Sequence, residues 1–280
     1  MIRTTPTGFN VGVSGPVVYL DNWAFIELAE KDPTRRRRFI DAVHSGIDVL
    51  FSITNAAELS GPQGQSADTL KAFLNDIGTH WFPARMDPIE VVKREANGED
   101  PQSVCTDETF VKRYLVSQMR PYTPACGKSL ELSDRLFHLG AMLDWVGPQR
   151  ESISKTSAEF DEMLRTKMSA ARERCKRNPT LLDKKFPRIP FDAARRAYFV
   201  YSNLLRVMTV EANSLKKGDG MDFCHTVIAC AFSSFAALDT QWKRRIETLP
   251  PNPLARLYSP LELDQMVMDM EWWLLGNRAM

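Results

Sequence analysis

Cysteine is scarce in this chain and its pattern leads nowhere. The five thiols, Cys105, Cys126, Cys175, Cys224 and Cys230, are odd in number, and no two stand in a C-x-x-C spacing. That argues against both a disulfide framework and a structural zinc site, and it points to a reducing cytoplasm. The N-terminus, Met1-Ile2-Arg3-Thr4-Thr5-Pro6, lacks the charged-then-apolar layout of a secretory signal. No uninterrupted apolar run approaches the roughly 20 residues that cross a bilayer, so no membrane is expected among the partners. Internal repeats and low-complexity tracts are missing as well. A net charge of only +1 leaves no whole-molecule field to attract a polyanion. Nor is there a glycine-rich turn after the first strand-like segment: Asp21-Asn22-Trp23-Ala24 stands there, which sets aside the phosphate cradles of dinucleotide-binding and P-loop proteins.

What is present is an ordinary globular composition, 44% hydrophobic and 25% charged over 280 residues, enough for one large domain or two small ones. Residues 1–15 carry Pro, Thr and Gly without periodicity and read as an irregular lead-in. Val17 to Leu20, and Val49 onward to Thr54, are short β-branched and aromatic runs of the kind that form strands buried on both faces, and His80-Trp81-Phe82 reads as a third. Helices are expected after the first strand, over Thr34 to His44 and over Ala67 to Ile77. From Pro83 to Asn203 helical spacing recurs, in Phe110 to Met119, Leu130 to Trp145 and Phe160 to Cys175, punctuated by prolines. Helices near Phe199 to Ala212 and Gly220 to Ser233 follow, then a strand at Ala236 to Leu238, a helix at Gln241 to Glu247 and a last strand at Ala255 to Tyr258. Ser259-Pro260-Leu261-Glu262 is a capping box that opens a C-terminal helix. The expected fold is α/β: three layers, α/β/α, around a central parallel sheet, with residues 1–84 and 204–280 forming the core and residues 85–203 a helical insertion.

Chemistry is carried by acids at the ends of these strands. Asp21 closes the first, Glu58 follows the second, Asp222 opens the helix after Lys217-Gly218-Asp219-Gly220-Met221, and Asp239 follows the strand ending at Leu238. In an open parallel sheet the carboxyl edge is where ligands bind. Four carboxylates converging there would repel one another unless a hard cation, Mg²⁺ or Mn²⁺, offset the charge.

This ordered set resembles the PIN-like nuclease family. The residues that carry the resemblance are Tyr19-Leu20-Asp21-Asn22-Trp23, Thr54-Asn55-Ala56-Ala57-Glu58-Leu59, Asp222-Phe223-Cys224-His225 and Ala237-Leu238-Asp239, in that order, over roughly residues 15–82 and 205–270. The chain departs from the family pattern at Asn22, where Thr is frequent, at Ala237, where Thr or Ser is frequent, and in the length of the segment between the second and third acids. The resemblance implies a ribonuclease dependent on Mg²⁺ or Mn²⁺, with Asp21, Glu58, Asp222 and Asp239 as the catalytic and metal-holding acids and single-stranded RNA as substrate, single-stranded DNA being the alternative. Some members are toxins held by an antitoxin, so an antitoxin or other regulatory protein is an implied partner; others process or survey RNA. The rival reading is a PIN-like scaffold without catalysis that binds RNA or protein through its helical insertion. A phosphatase of the haloacid dehalogenase type would need a second Asp where Trp23 stands.

Each acid also has a plainer role open to it. Asp21 and Asp239 suit helix N-caps, and Glu58 suits a first-turn acid on a helix. Asp219 and Asp222, three apart, share a helix side; Asp219 fits the N-cap and Asp222 the metal side. His225 follows on that face, where it could steady Asp222 or meet a phosphate. Asn22 and Asn55 are candidates to orient carboxylates or water.

Positive charge is local. Residues 163–196 hold eleven Lys and Arg against three acids, a balance of +8, which could track a phosphate backbone. Tyr198, Phe199 and Tyr201 adjoin it, with core packing preferred to base stacking. Arg35 to Arg38 read as a solvated face. Lys243 and Arg244, just past Asp239, are placed for substrate phosphates, and Glu95 is a candidate to reach the site as a lid.

Overall fold

The computed structural model describes residues 2–5, 8–13, 15–119, 138–211, 215–249 and 255–278. In chain order its elements are β1 (Ile2–Thr5), β2 (Gly8–Val11), β3 (Val17–Leu20), α1 (Asn22–Glu30), α2 (Pro33–His44), β4 (Asp48–Phe51), α3 (Ile53–Leu59), α4 (Gln65–Ile77), β5 (Trp81–Pro83), α5 (Pro88–Ala96), α6 (Pro101–Cys105) and α7 (Glu108–Met119). Then come α8 (Leu139–Val146), α9 (Arg150–Arg177), α10 (Thr180–Lys185), α11 (Arg196–Val210), α12 (Asp219–Phe232), β6 (Phe235–Ala237), α13 (Thr240–Glu247), β7 (Arg256–Tyr258) and α14 (Leu263–Arg278).

Five strands form one parallel sheet in the order β5-β4-β3-β6-β7. The apolar runs are continuous because both faces are covered. Val18, Leu20, Val49, Phe51, Phe235 and Ala237 point into one core, closed by α1, α2, α3, α4, α7, α8 and α14. Val17, Tyr19, Leu50 and Ala236 point into the other, closed mainly by α5, α9, α11, α12 and α13. The result is the expected three-layer α/β/α arrangement. The described part of residues 85–203 contributes to both cores, through Phe110, Tyr114 and Met142 on one side and Val91, Leu164 and Phe199 on the other.

Strand order also fixes where a ligand would go. From β3 the chain winds outward to β4 and β5, then returns to lay β6 and β7 on the opposite side of β3. The connections leave β3 and β6 in opposite directions, and such a reversal opens a crevice at the carboxyl ends of those two strands.

Several expectations change. Residues 2–5 and 8–11 pair as an antiparallel ribbon with Ile2 opposite Val11, so these parts of the lead-in are regular strands. The second strand stops at Phe51. Ser52 and Asn55 form a capping box there, Ser52 Oγ accepting the Asn55 amide at 3.0 Å while Asn55 Oδ1 accepts the Ser52 amide at 3.1 Å, and this starts α3. Of the expected helix at Leu130 to Trp145, residues 130–137 lie outside the described residues; α8 is its remainder. The arginines at 35–38 are not simply solvated: Arg36 pairs with Asp76 at 2.7 Å, Arg35 with Asp264 at 3.3 Å, and Arg38 grips Glu271 through Nε at 2.8 Å and Nη2 at 2.6 Å, fastening α2 to α4 and α14. Among the described residues no helix is long and apolar enough to cross a membrane.

Candidate active site

Asp21 and Asp239 emerge side by side because their strands are paired. Leu20 lies opposite Ala237, and the Asp21 amide donates to the Ala237 carbonyl at 3.1 Å. Both acids occupy N-cap positions, of α1 and α13. Asp21 Oδ1 accepts the Asn22 amide at 2.8 Å, whereas the Asp239 carboxylate caps nothing. Asp222 reaches the same edge by another route: α12 runs back against the parallel strands toward β6, so its first turn starts at their carboxyl ends. Glu58 sits late in α3, not in its first turn as the plainer reading had it, because the Ser52 cap turns the chain into a helix as soon as β4 ends.

These acids feel one another. Burial and then the charges of Asp222, Asp239 and Glu58 push the Asp21 carboxyl from an ordinary 3.8 up to about 7, against the lowering pull of the Asn22 amide. Asp222 rises to about 6, chiefly by burial, with Asp239, Asp219 and Asp161 adding to it. Glu58, which keeps an open surface, is raised by loss of hydration and by Asp222. Among the described residues no three or more Asp, Glu, His or Cys side chains are already grouped as ligands of one ion.

Neighbouring polar groups hold the acids in place. A polar relay runs from Ser52 to Asn55, whose Nδ2 donates to Asn22 Oδ1 at 3.1 Å, and on from Asn22 Nδ2 to Glu58 Oε2. Asn22 therefore orients the Glu58 carboxylate by direct contact, and Asn55 orients Asn22. Trp242 Nε1 donates to Asp222 Oδ2 at 3.1 Å, and its ring is covered by the Arg245 guanidinium 4.3 Å away. Asp161, buried on α9, accepts the amides of Gly220 at 2.7 Å and Gly218 at 3.2 Å and so anchors the loop that presents Asp222. Both glycines are required: Gly218 has φ of 99°, and a Cβ on Gly220 would come within 2.8 Å of the Asp161 Cα. Trp242 and Asp161 carried no sequence signal of their own; the Gly-x-Gly spacing was the only hint that another element came close.

Other candidate residues take different places. Gly218, not Asp219, is the N-cap of α12; Asp219 turns back to accept the Lys216 amide at 2.7 Å. His225 is buried, edge-on to Tyr19 of the central strand, and burial pulls its imidazole down to about 4, so it is neutral at pH 7 and closed off from solvent. Lys243 is paired with Glu262 at 2.5 Å and with Glu247 at 3.7 Å, while Arg244 is exposed and has no such pairing among the described residues. Glu95 is no lid: it is buried and caps α11, accepting the amides of Ala197 at 2.8 Å and Tyr198 at 2.9 Å. Phe199 packs on Phe191, and Tyr201 on Phe223. The basic tract lies along the C-terminal part of α9, α10 and the segment to α11, with Lys167, Arg174, Arg177, Lys184, Lys185 and Arg188 exposed.

Comparison with known proteins gives no match: none to a family model, none to a curated protein and none to a solved structure.

Proposed function

We propose that this chain is a PIN-like, metal-dependent endonuclease that hydrolyses single-stranded RNA. The observation that supports the reading is the burial of Asp21 and Asp222 beside other carboxylates, Glu58 and Asp239 among them, at the carboxyl edge of the sheet: loss of hydration first, and neighbouring negative charge second, raise Asp21 to about 7 and Asp222 to about 6. Acids kept at such cost, with an N-cap carboxylate left uncommitted at Asp239, suit a hard divalent cation, and all four offer the oxygen donors that Mg²⁺ or Mn²⁺ takes. When bound, such an ion supplies an activated water and neutralises charge developing on the phosphoryl oxygens. The chain's own residues hold the geometry. Asn22 fixes Glu58, Trp242 fixes Asp222, and Asp161 sets the α12 loop, so these residues orient the carboxylates that would hold the ion. Hydrolysis of this kind leaves a 5′-phosphate and a 3′-hydroxyl.

The test is a labelled single-stranded oligoribonucleotide incubated with the protein and Mn²⁺. Cleavage is expected for the wild type, none for Asp21→Asn or Asp222→Asn, and none with chelator. Equal cutting by the variants, or cutting indifferent to chelator, overturns the reading; binding without any cutting supports a non-catalytic scaffold.

A further inference from the structure

The acids account for bond cleavage but not for how a strand is gripped beside them. Just beyond Asp239, α13 faces a groove of about 720 Å³ whose lining includes Glu211, Lys216, Thr240, Gln241, Arg244 and Arg245. Its charges do not cancel. Glu211 is taken by Arg245, which donates from Nε at 3.0 Å and from Nη2 at 2.8 Å, and no acid among the described residues pairs with the Lys216 or Arg244 side chains. Arg245 is only 3% exposed, and its Nη1 has no hydrogen-bond partner among the described residues, a costly condition for a buried guanidinium that lacks an acceptor. Thr240 and Gln241 bring in the first turn of α13, whose amides receive nothing from the Asp239 side chain and so remain open to an anion.

The groove adjoins the acids directly. Thr240 follows Asp239, and a single indole separates Arg245, on one side of it, from Asp222, which its Nε1 contacts. We propose that this groove is a phosphate-binding subsite that seats the phosphodiester neighbouring the one at the acids, with Arg244 and Lys216 as its principal contacts and Arg245 as its buried donor. The identity of the ligand as a nucleic-acid strand rests on the nuclease reading above; the preference for phosphate comes from the groove. Guanidinium and ammonium groups with an open helix N-terminus match a phosphodiester in charge and in hydrogen-bond donors.

Binding is measured in EDTA, where no cutting occurs, by fluorescence anisotropy of a fluorescein-labelled single-stranded oligoribonucleotide and of the oligodeoxynucleotide of the same sequence, across a range of salt. The double variant Lys216→Gln, Arg244→Gln alters two exposed side chains. It is expected to weaken both probes about tenfold or more, and to reduce the slope of log affinity against log salt by about 1.4, from roughly 0.7 per lost contact to a single strand. Removing Arg174 and Lys184 from the basic tract, neither of which lines the groove, as Arg174→Gln, Lys184→Gln, serves as the comparison. Unchanged affinity and slope in the groove variant overturn the subsite, as does a wild type that binds neither probe. If the groove variant loses binding while the wild type never cuts with Mn²⁺, the subsite stands and the nuclease reading falls.

Discussion

Asp21→Asn should make the metal-free protein more stable at neutral pH, even though it removes the first acid of the proposed site. Asn is as good an N-cap as Asp, so the contact with the Asn22 amide survives the change. What disappears is a charge held against burial and three neighbouring carboxylates. In the unfolded chain this carboxyl has its ordinary value of 3.8 and in the fold about 7. The folded state thus binds the proton more tightly, and stability falls as pH rises from about 4 to about 7. Below pH 4 both states are protonated and there is no penalty; above 7 it is complete. At 1.36 kcal/mol for each tenfold change in proton affinity, the difference amounts to about 4 kcal/mol. Solvent reaches part of Asp21, so about 2–4 kcal/mol is the sounder expectation. Urea unfolding in EDTA should show the variant matching the wild type near pH 4 and exceeding it by that amount at pH 8, a rise in Tm of about 4–8 °C. Mn²⁺ at about a hundred times its Kd should then stabilise the wild type by about 2.7 kcal/mol and leave the variant nearly unmoved. A variant less stable than the wild type at pH 8, or a difference independent of pH, would refute the claim that Asp21 is a strained member of an acid cluster.

Two further changes separate the site from its supports. Trp242→Phe keeps a ring under Arg245 but deletes the donor to Asp222. Mn²⁺ affinity measured by titration calorimetry should fall about tenfold, the usual penalty for losing an orienting partner, and an unchanged affinity would remove Trp242 from the account. Glu95→Ala strands the amides of Ala197 and Tyr198 at the start of α11. Unfolding free energy should drop by about 2 kcal/mol, while cleavage per folded molecule stays the same; a selective loss of cleavage would return Glu95 to the site.

Sequence alone determined much of the frame. Unbroken β-branched and aromatic runs such as Val17 to Leu20 can be satisfied only between two helical layers, so the parallel three-layer sheet was legible, as was the capping box at Ser259 that opens the last helix. The order of the acids was legible too, because a residue just past a strand is carried to the sheet edge by the strand itself. Boundaries were less so: Ile53 and Thr54 are as apolar and β-branched as a strand requires, yet the reciprocal Ser52–Asn55 contacts made them helical. The partners of the site belonged to the tertiary structure. Asp161 and Trp242 approach Asp222 from elements remote from it or on the far side of a strand, and nothing in the local pattern of either residue marks that meeting. Lys243 and Glu95 looked available because their charges were visible while Glu262 and the α11 amides were not. Backbone pattern dictates which side of an element faces the core, but a long polar side chain settles on whichever donor or acceptor the packed layers bring within reach, and that is fixed only when distant segments close around it.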